Sequence, residues 1–160
     1  MERVGFFADD TSEPVQALEE QVLKKKLFKS EPAGLEIAHA GVNPGIGQGI
    51  RRVQALNRMD IPSMWRALIR PPIGKNRGPE VSLLAPSGIT PPDAAAKLTG
   101  AGVAAASISA DAASIECGFE PGTSASSLVA FAVAAVTALQ GPPPSRDWQW
   151  TVRAQGAIPR

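Results

Sequence analysis

The stretch ASIECGF, residues 113–119, alternates apolar and polar side chains and predicts a β-strand with one buried face. It leads into SASSLVAFAVAAVTAL, residues 124–139, which opens on residues that cap helices and stops before Gly141 and three prolines. The chain then continues to WQWTVR, residues 148–153, which alternates again. These three segments predict a strand, a helix and a strand in succession.

The residues upstream extend this rhythm. Residues 80–85 form a short and almost wholly apolar segment that predicts a strand, and a helix opens at Pro91 or Pro92 and runs over 93–99. Residues 103–109 predict a strand that pairs with 113–119. The order βαββαβ over residues 80–155 is that of the ferredoxin-like split motif.

The first half of the chain predicts a βαβαα extension over residues 1–72. Its strands are expected at 3–8 and 35–42, and its first helix starts at Thr11 or Ser12. A second helix is expected over 46–56, and a third, short one from about Pro62 to residue 70. We expect the strands of both halves to join one mixed β-sheet flanked by helices, an α/β (α+β) fold. The prediction is a single compact domain, 1–160, with residues 73–79 as the place where it would divide.

The composition is that of an ordinary globular protein. Hydrophobic residues make up 44% of the chain and charged residues 19%, and the formal net charge is +1. The N-terminus lacks the apolar region of a signal peptide, and the longest apolar run, 128–139, is shorter than the roughly 20 residues that cross a bilayer. We expect a soluble, cytoplasmic protein without membrane attachment, metal or cofactor.

The basic residues are concentrated in one segment, which we call the basic segment. Between Pro44 and Arg77 there are seven basic side chains and a single acidic one, Asp60. A one-signed patch of this kind usually faces an anion. We therefore predict that a helical face within residues 51–77 binds an acidic protein surface or a polyanion, through Arg58, Arg66, Arg70, Lys75 and Arg77. Nucleic acid is a less favoured partner, because the segment offers one aromatic side chain, Trp65.

The basic segment opens on PGIGQG, residues 44–49. This loop suggests an alternative function, an enzyme domain that binds a phosphate or nucleotide ligand. Glycines between a strand and a helix let backbone amides approach an anion, and two arginines follow them. The candidate ligands are Gly45, Gly47, Gly49, Arg51 and Arg52. The spacing differs from both familiar phosphate-binding fingerprints, so a tight turn that needs glycine is the other interpretation.

Groups suited to catalysis are few. The chain has one histidine, His39, and one cysteine, Cys117, and both share a strand face with apolar residues. We predict no catalytic residue and favour a non-enzymatic interaction or assembly module, as part of a homo- or hetero-oligomer. Trp148 and Trp150 either form a binding spot at a sheet edge or cover the alanine-rich helix 124–139.

Overall fold

The secondary structure follows the alternation of the sequence closely. A computed structural model describes residues 4–23, 32–39, 65–72, 76–86, 91–102, 105–111, 114–141 and 148–154. Its strands are β1 (Val4–Phe6), β2 (Pro32–His39), β3 (Arg66–Arg70), β4 (Glu80–Leu84), β5 (Ser107–Ala110), β6 (Ser114–Gly118) and β7 (Trp148–Ala154). Its helices are α1 (Ser12–Leu18), continued by a π-helical turn over Glu19–Leu23, then α2 (Pro91–Gly100) and α3 (Ala125–Gln140). None of these helices is long and apolar enough to cross a membrane.

The strands form one open sheet with the order β1-β7-β2-β3-β4-β6-β5. Every neighbouring pair in it is antiparallel. The α/β class is therefore confirmed, but the prediction of a mixed sheet is wrong for the strands that the structure describes. The two strands joined by each helix still run parallel to each other, because an odd number of strands lies between them: one for α1 and α2, and three for α3.

The ferredoxin-like topology is not confirmed. In that arrangement the last strand of the motif, β7, would pair directly with its first strand, β4. Instead β2 and β3 lie between them, so the connection through α3 passes over three strands, β4, β3 and β2. The unit β4-α2-β5, with β6 paired between its two strands, is the part of the predicted motif that forms.

The short helix predicted up to residue 70 is wrong, because Arg66–Arg70 forms strand β3. The segment RALIR has alternating side chains: Ala67 and Ile69 pack into the core, while Arg66 and Arg70 lie on the other face. Leu68 and Ile69 are both buried. Two adjacent apolar residues are typical of the buried face of a helix, but a strand that is covered on both sides buries them as well. The helix predicted over 46–56 lies outside the described residues.

The apolar core lies between one face of the sheet and the three helices. The sheet side consists of the inward residues of the central strands, among them Leu35, Ile37, Ile69, Val81, Leu83 and Ile115. Helix α3 packs on them with small and medium side chains, including Leu128, Ala132, Ala135 and Val136. Ser124 caps this helix, since its Oγ accepts a hydrogen bond of 3.1 Å from the backbone N–H of Ser127.

Trp148 and Trp150 do not lie on an edge strand of the sheet. Strand β7 is paired on both sides, with β1 and with β2. The Trp148 side chain is only 2% exposed, and its ring lies 5.1 Å from that of His39 and 6.4 Å from that of Phe6. Of the two interpretations of Trp148 and Trp150, the core position is therefore the one observed for Trp148.

Backbone packing around one glycine yields the first prediction. A Cβ atom on Gly78 would overlap the carbonyl of Phe119, whose own N–H donates to Pro79 O at 3.1 Å, whereas a Cβ on Gly100 would have no atom within 4 Å. We expect Gly78→Ala to lower the free energy of unfolding by about 1–3 kcal/mol. Gly100→Ala, within α2, should raise it by about 0.5–1 kcal/mol. Denaturant midpoints measure both, and equal shifts would contradict the packing described here.

Candidate functional site

The face of the sheet opposite α1, α2 and α3 carries a row of polar side chains, which we call the polar face. They alternate along the strands with the core residues, so cross-strand neighbours share this side. The members are Glu36, Arg66, Arg70, Ser82, Ser114, Glu116 and Thr151. Most of them are buried, so they must satisfy one another's charges and hydrogen bonds.

A buried ion pair joins β2 to β3. Arg66 Nη1 lies 3.9 Å from Glu36 Oε1, and the two side chains are 6% and 1% exposed. The residues sit diagonally across the paired strands, since Glu36 is opposite Leu68 and Arg66 is opposite Ala38. The charge of Arg66 is thus matched inside the molecule.

A second cluster joins β3, β4 and β6 and is open to solvent. Arg70 Nη2 donates to Ser82 Oγ and, at 3.3 Å, to Glu116 Oε1. Ser82 Oγ donates to the same oxygen at 2.6 Å, and Ser114 Oγ donates to Glu116 Oε2 at 2.6 Å. About a third of each charged side chain is exposed, 34% for Arg70 and 33% for Glu116. Glu116 therefore organises three donors from three strands.

Of the predicted partner-binding residues, the structure describes Arg66, Arg70 and Arg77. Arg66 and Arg70 lie in strand β3 of the polar face, each beside a carboxylate. Arg77 is exposed before β4 and forms no ion pair with the part of the chain that is described. The other predicted site residues lie outside the described residues: Gly45, Gly47, Gly49, Arg51, Arg52, Arg58 and Lys75.

Sequence reasoning missed the polar partners of the arginines. The alternation of Glu116 with Ile115 and Cys117, and of Glu36 with Leu35 and Ile37, was a visible signal that both carboxylates face away from the apolar side. Their proximity to Arg66 and Arg70 follows only when residues 66–70 form a strand between them. A helix over these residues does not predict that the arginines lie beside the two carboxylates.

Cys117 and His39 do not act as a pair. Both face the core, but β3 and β4 lie between their strands, a separation of about 14 Å at the usual strand spacing. Burial, together with the nearby Glu116 charge, raises the pKa of the Cys117 thiol to about 12, so it stays protonated. The His39 ring is held by a 2.8 Å hydrogen bond from Nε2 to Gly141 O.

No known protein guides the assignment of this site. Comparison with known proteins finds no matching family model, no similar curated protein and no similar solved structure. Among the described residues, no three His, Cys, Asp or Glu side chains are grouped as metal ligands would be. The function is therefore argued from charges, burial and strand geometry.

The two carboxylates of the polar face should contribute unequally to stability. Glu36→Gln removes the counter-charge of a buried guanidinium, so we expect a loss of about 3–5 kcal/mol. Glu116→Gln keeps one acceptor oxygen, which Arg70 and Ser82 can share, and its NH2 group can donate to Ser114 Oγ. It removes an ion pair that is one third exposed, so the loss should stay at or below about 1 kcal/mol. Urea unfolding of the two variants measures this difference. Equal losses would mean that the Glu36–Arg66 pair is not the buried interaction described.

The single histidine makes folding stability depend on pH. Burial lowers the pKa of His39 below its ordinary value of 6.5, and the hydrogen bond to Gly141 opposes this shift only in part. The unfolded chain therefore binds the proton more tightly than the folded one. The free energy of unfolding should have its full value above pH 6.5 and decrease as the pH drops from 6.5 through the folded-state pKa of His39.

Thermal unfolding between neutral and mildly acidic pH checks this dependence. In a plot of melting temperature against pH, His39→Gln should reduce the slope just below the ordinary histidine pKa. An unchanged slope in the variant would show that His39 is not the group responsible.

Proposed function

We propose that the protein is a non-enzymatic, cytoplasmic interaction or assembly module that binds an acidic protein surface or a polyanion. The binding groups are the basic side chains of residues 51–77 other than Arg66 and Arg70, which are paired with Glu36 and Glu116. We further propose that residues 1–160 act as one unit, since strands from both halves of the chain alternate in the sheet.

The observation that carries this proposal is the charge balance of the basic segment. Arg66 and Arg70 are paired with Glu36 and Glu116, which lie outside that segment. Removing these two from the seven bases leaves five against the single acidic residue, Asp60. The remaining set is Arg51, Arg52, Arg58, Lys75 and Arg77. Even after the internal pairs are subtracted, the segment keeps one sign of charge.

The mechanism would be charge steering followed by hydrogen bonds from guanidinium groups to carboxylates or phosphates. Arg77 is the described residue best placed for it, since it is exposed and has no internal ion-pair partner among the described residues. Arg66 and Arg70 take a different role, as structural charges of the polar face. The contact surface is accordingly not a helix that includes residues 66–70.

Binding to poly-L-glutamate, followed by fluorescence anisotropy, tests the proposal. The double variant Lys75→Glu, Arg77→Glu should bind about tenfold more weakly than the wild type at low salt, a change of about 1.4 kcal/mol. The wild-type affinity should fall with rising salt. Arg77→Met and Arg70→Met are the matched pair, since each removes one positive charge. Arg77→Met should weaken binding more than Arg70→Met, which should change the affinity less than twofold because Arg70 is already paired. Salt-independent binding, or equal effects of the two variants, would sink the proposal.

A thermal-shift measurement with phosphate, nucleotides and coenzyme A separates the alternative function. If one of these ligands stabilises the protein, and Arg51→Ala or Gly47→Val abolishes the effect, residues 45–52 form a ligand site. The phosphate- or nucleotide-binding enzyme would then replace the interaction module. Tighter binding of nucleic acid than of polyglutamate would identify nucleic acid as the polyanion.

A further inference from the structure

We propose that strand β5 pairs antiparallel with β5 of a second copy of this chain and so joins two sheets into one. The inference rests on the assembly role proposed above and names a partner for it. It uses a surface at the far end of the sheet from β1, beyond β6, so the two proposals can be tested separately.

The outer backbone groups of β5 are identified by its pairing with β6. Asp111 N–H donates to Ser114 O at 2.9 Å, and these two residues lie opposite each other. Hydrogen-bonded pairs alternate along an antiparallel ladder, so Ser109 and Ser107 also point their backbone groups toward β6. The N–H and C=O groups of Ile108 and Ala110 therefore point away from β6, on the side where the sheet ends among the described strands.

The side chains of β5 do nothing to prevent pairing. The strand reads Ser-Ile-Ser-Ala over Ser107–Ala110, with no charge, no proline and exposed serines. Edge strands that must stay single usually carry lysine, proline or a bulge. Here a bulge-like irregularity precedes the strand, since Ala106 N–H donates at 2.8 Å to the O of Gly118, the partner of Ser107, and the pairing is regular from Ser107 to Ala110. The other edge differs: β1 has three residues, and the chain then turns back through a Phe7–Asp10 bridge beside the exposed Asp9 and Asp10.

The occupant that fits best is a second copy, because the edge is complementary to itself. With a two-fold axis at Ser109, Ile108 of one copy lies opposite Ala110 of the other, and four hydrogen bonds satisfy all the outward groups of both residues. The apolar Ile108 and Ala110 meet on the core side. On the polar side, Ser107 of one copy lies opposite Asp111 of the other.

The neighbouring helix exposes several small residues. Helix α2 packs on β5 and β6, and its exposed residues include the small Ala96, Thr99 and Gly100, with Lys97 as the long one. A four-residue strand with one flanking helix forms a small interface. We therefore expect a weak dimer, with a dissociation constant in the micromolar range or above.

Sedimentation of the full chain from low micromolar to several hundred micromolar concentration tests the dimer. The wild type should move from monomer to dimer over this range. Ala110→Pro removes an outward N–H without removing a hydrogen bond to β6, so it should abolish the dimer while circular dichroism and melting temperature stay close to those of the wild type. A wild type that stays monomeric throughout, or an Ala110→Pro variant that dimerises normally, would overturn the proposal.

Two substitutions at one exposed position test the register. Ser107→Lys places an ammonium opposite Asp111 of the second copy and should tighten the dimer by about threefold to tenfold. Ser107→Asp places a like charge there and should weaken it by a similar factor. Within one chain Ser107 lies opposite Gly118, and Glu116 and Glu80 share its face, so the melting temperature of each variant as a monomer is measured beside its dimerisation. Shifts in the same direction would exclude a two-fold axis at Ser109.

The two proposals can fail independently. Ala110→Pro should keep the salt-sensitive binding of polyglutamate, and the double variant Lys75→Glu, Arg77→Glu should keep the dimer. If Ala110→Pro loses the dimer but still binds polyglutamate, the two interactions use different surfaces, and the failure of one proposal leaves the other standing.

Discussion

The fold depends on the strict alternation of side chains along β3 and its neighbours. All three described helices lie on one face of the antiparallel sheet, so each strand must supply apolar residues to that side. The residues between them are then obliged to face the other way together. On β3 these are Arg66, Leu68 and Arg70, and on the neighbouring strands they include Glu36 and Glu116. The pairing of charges on the polar face is thus a consequence of core formation on the opposite face.

This arrangement changes how the basic segment is understood. A run of arginines in the sequence suggests an outward cationic surface, but two of them are structural charges that link the four strands β2, β3, β4 and β6. A buried guanidinium beside a buried carboxylate adds less to stability than a well-packed apolar pair would, yet breaking it is costly. Among the described bases of the segment, Arg77 is exposed and lies outside these two pairs. The same sheet that pairs two arginines with carboxylates places β5 at its end among the described strands, where we propose that a second copy pairs.

The elements with strong periodicity could be predicted from sequence alone. Helix α3 and strands β4, β6 and β7 were expected within a few residues of their bounds, because caps, proline runs and alternation mark them clearly. Strand β3 could not be told from a helix, since both of its faces are buried and Leu68 and Ile69 then satisfy either period. The position of β2 and β3 between β4 and β7 depends on long-range pairing, which no local pattern encodes. The carboxylate partners were hidden for the same reason.

The central claim is that residues 66–70 form an interior strand whose arginines meet carboxylates of the same chain. Nuclear Overhauser effects of the backbone test it most directly. The account predicts contacts between residues 66–70 and both 35–38 and 80–84, together with amides at 67–69 that exchange only on global unfolding. Helical contacts between residues three apart over 62–70, with rapid exchange of those amides, would contradict it.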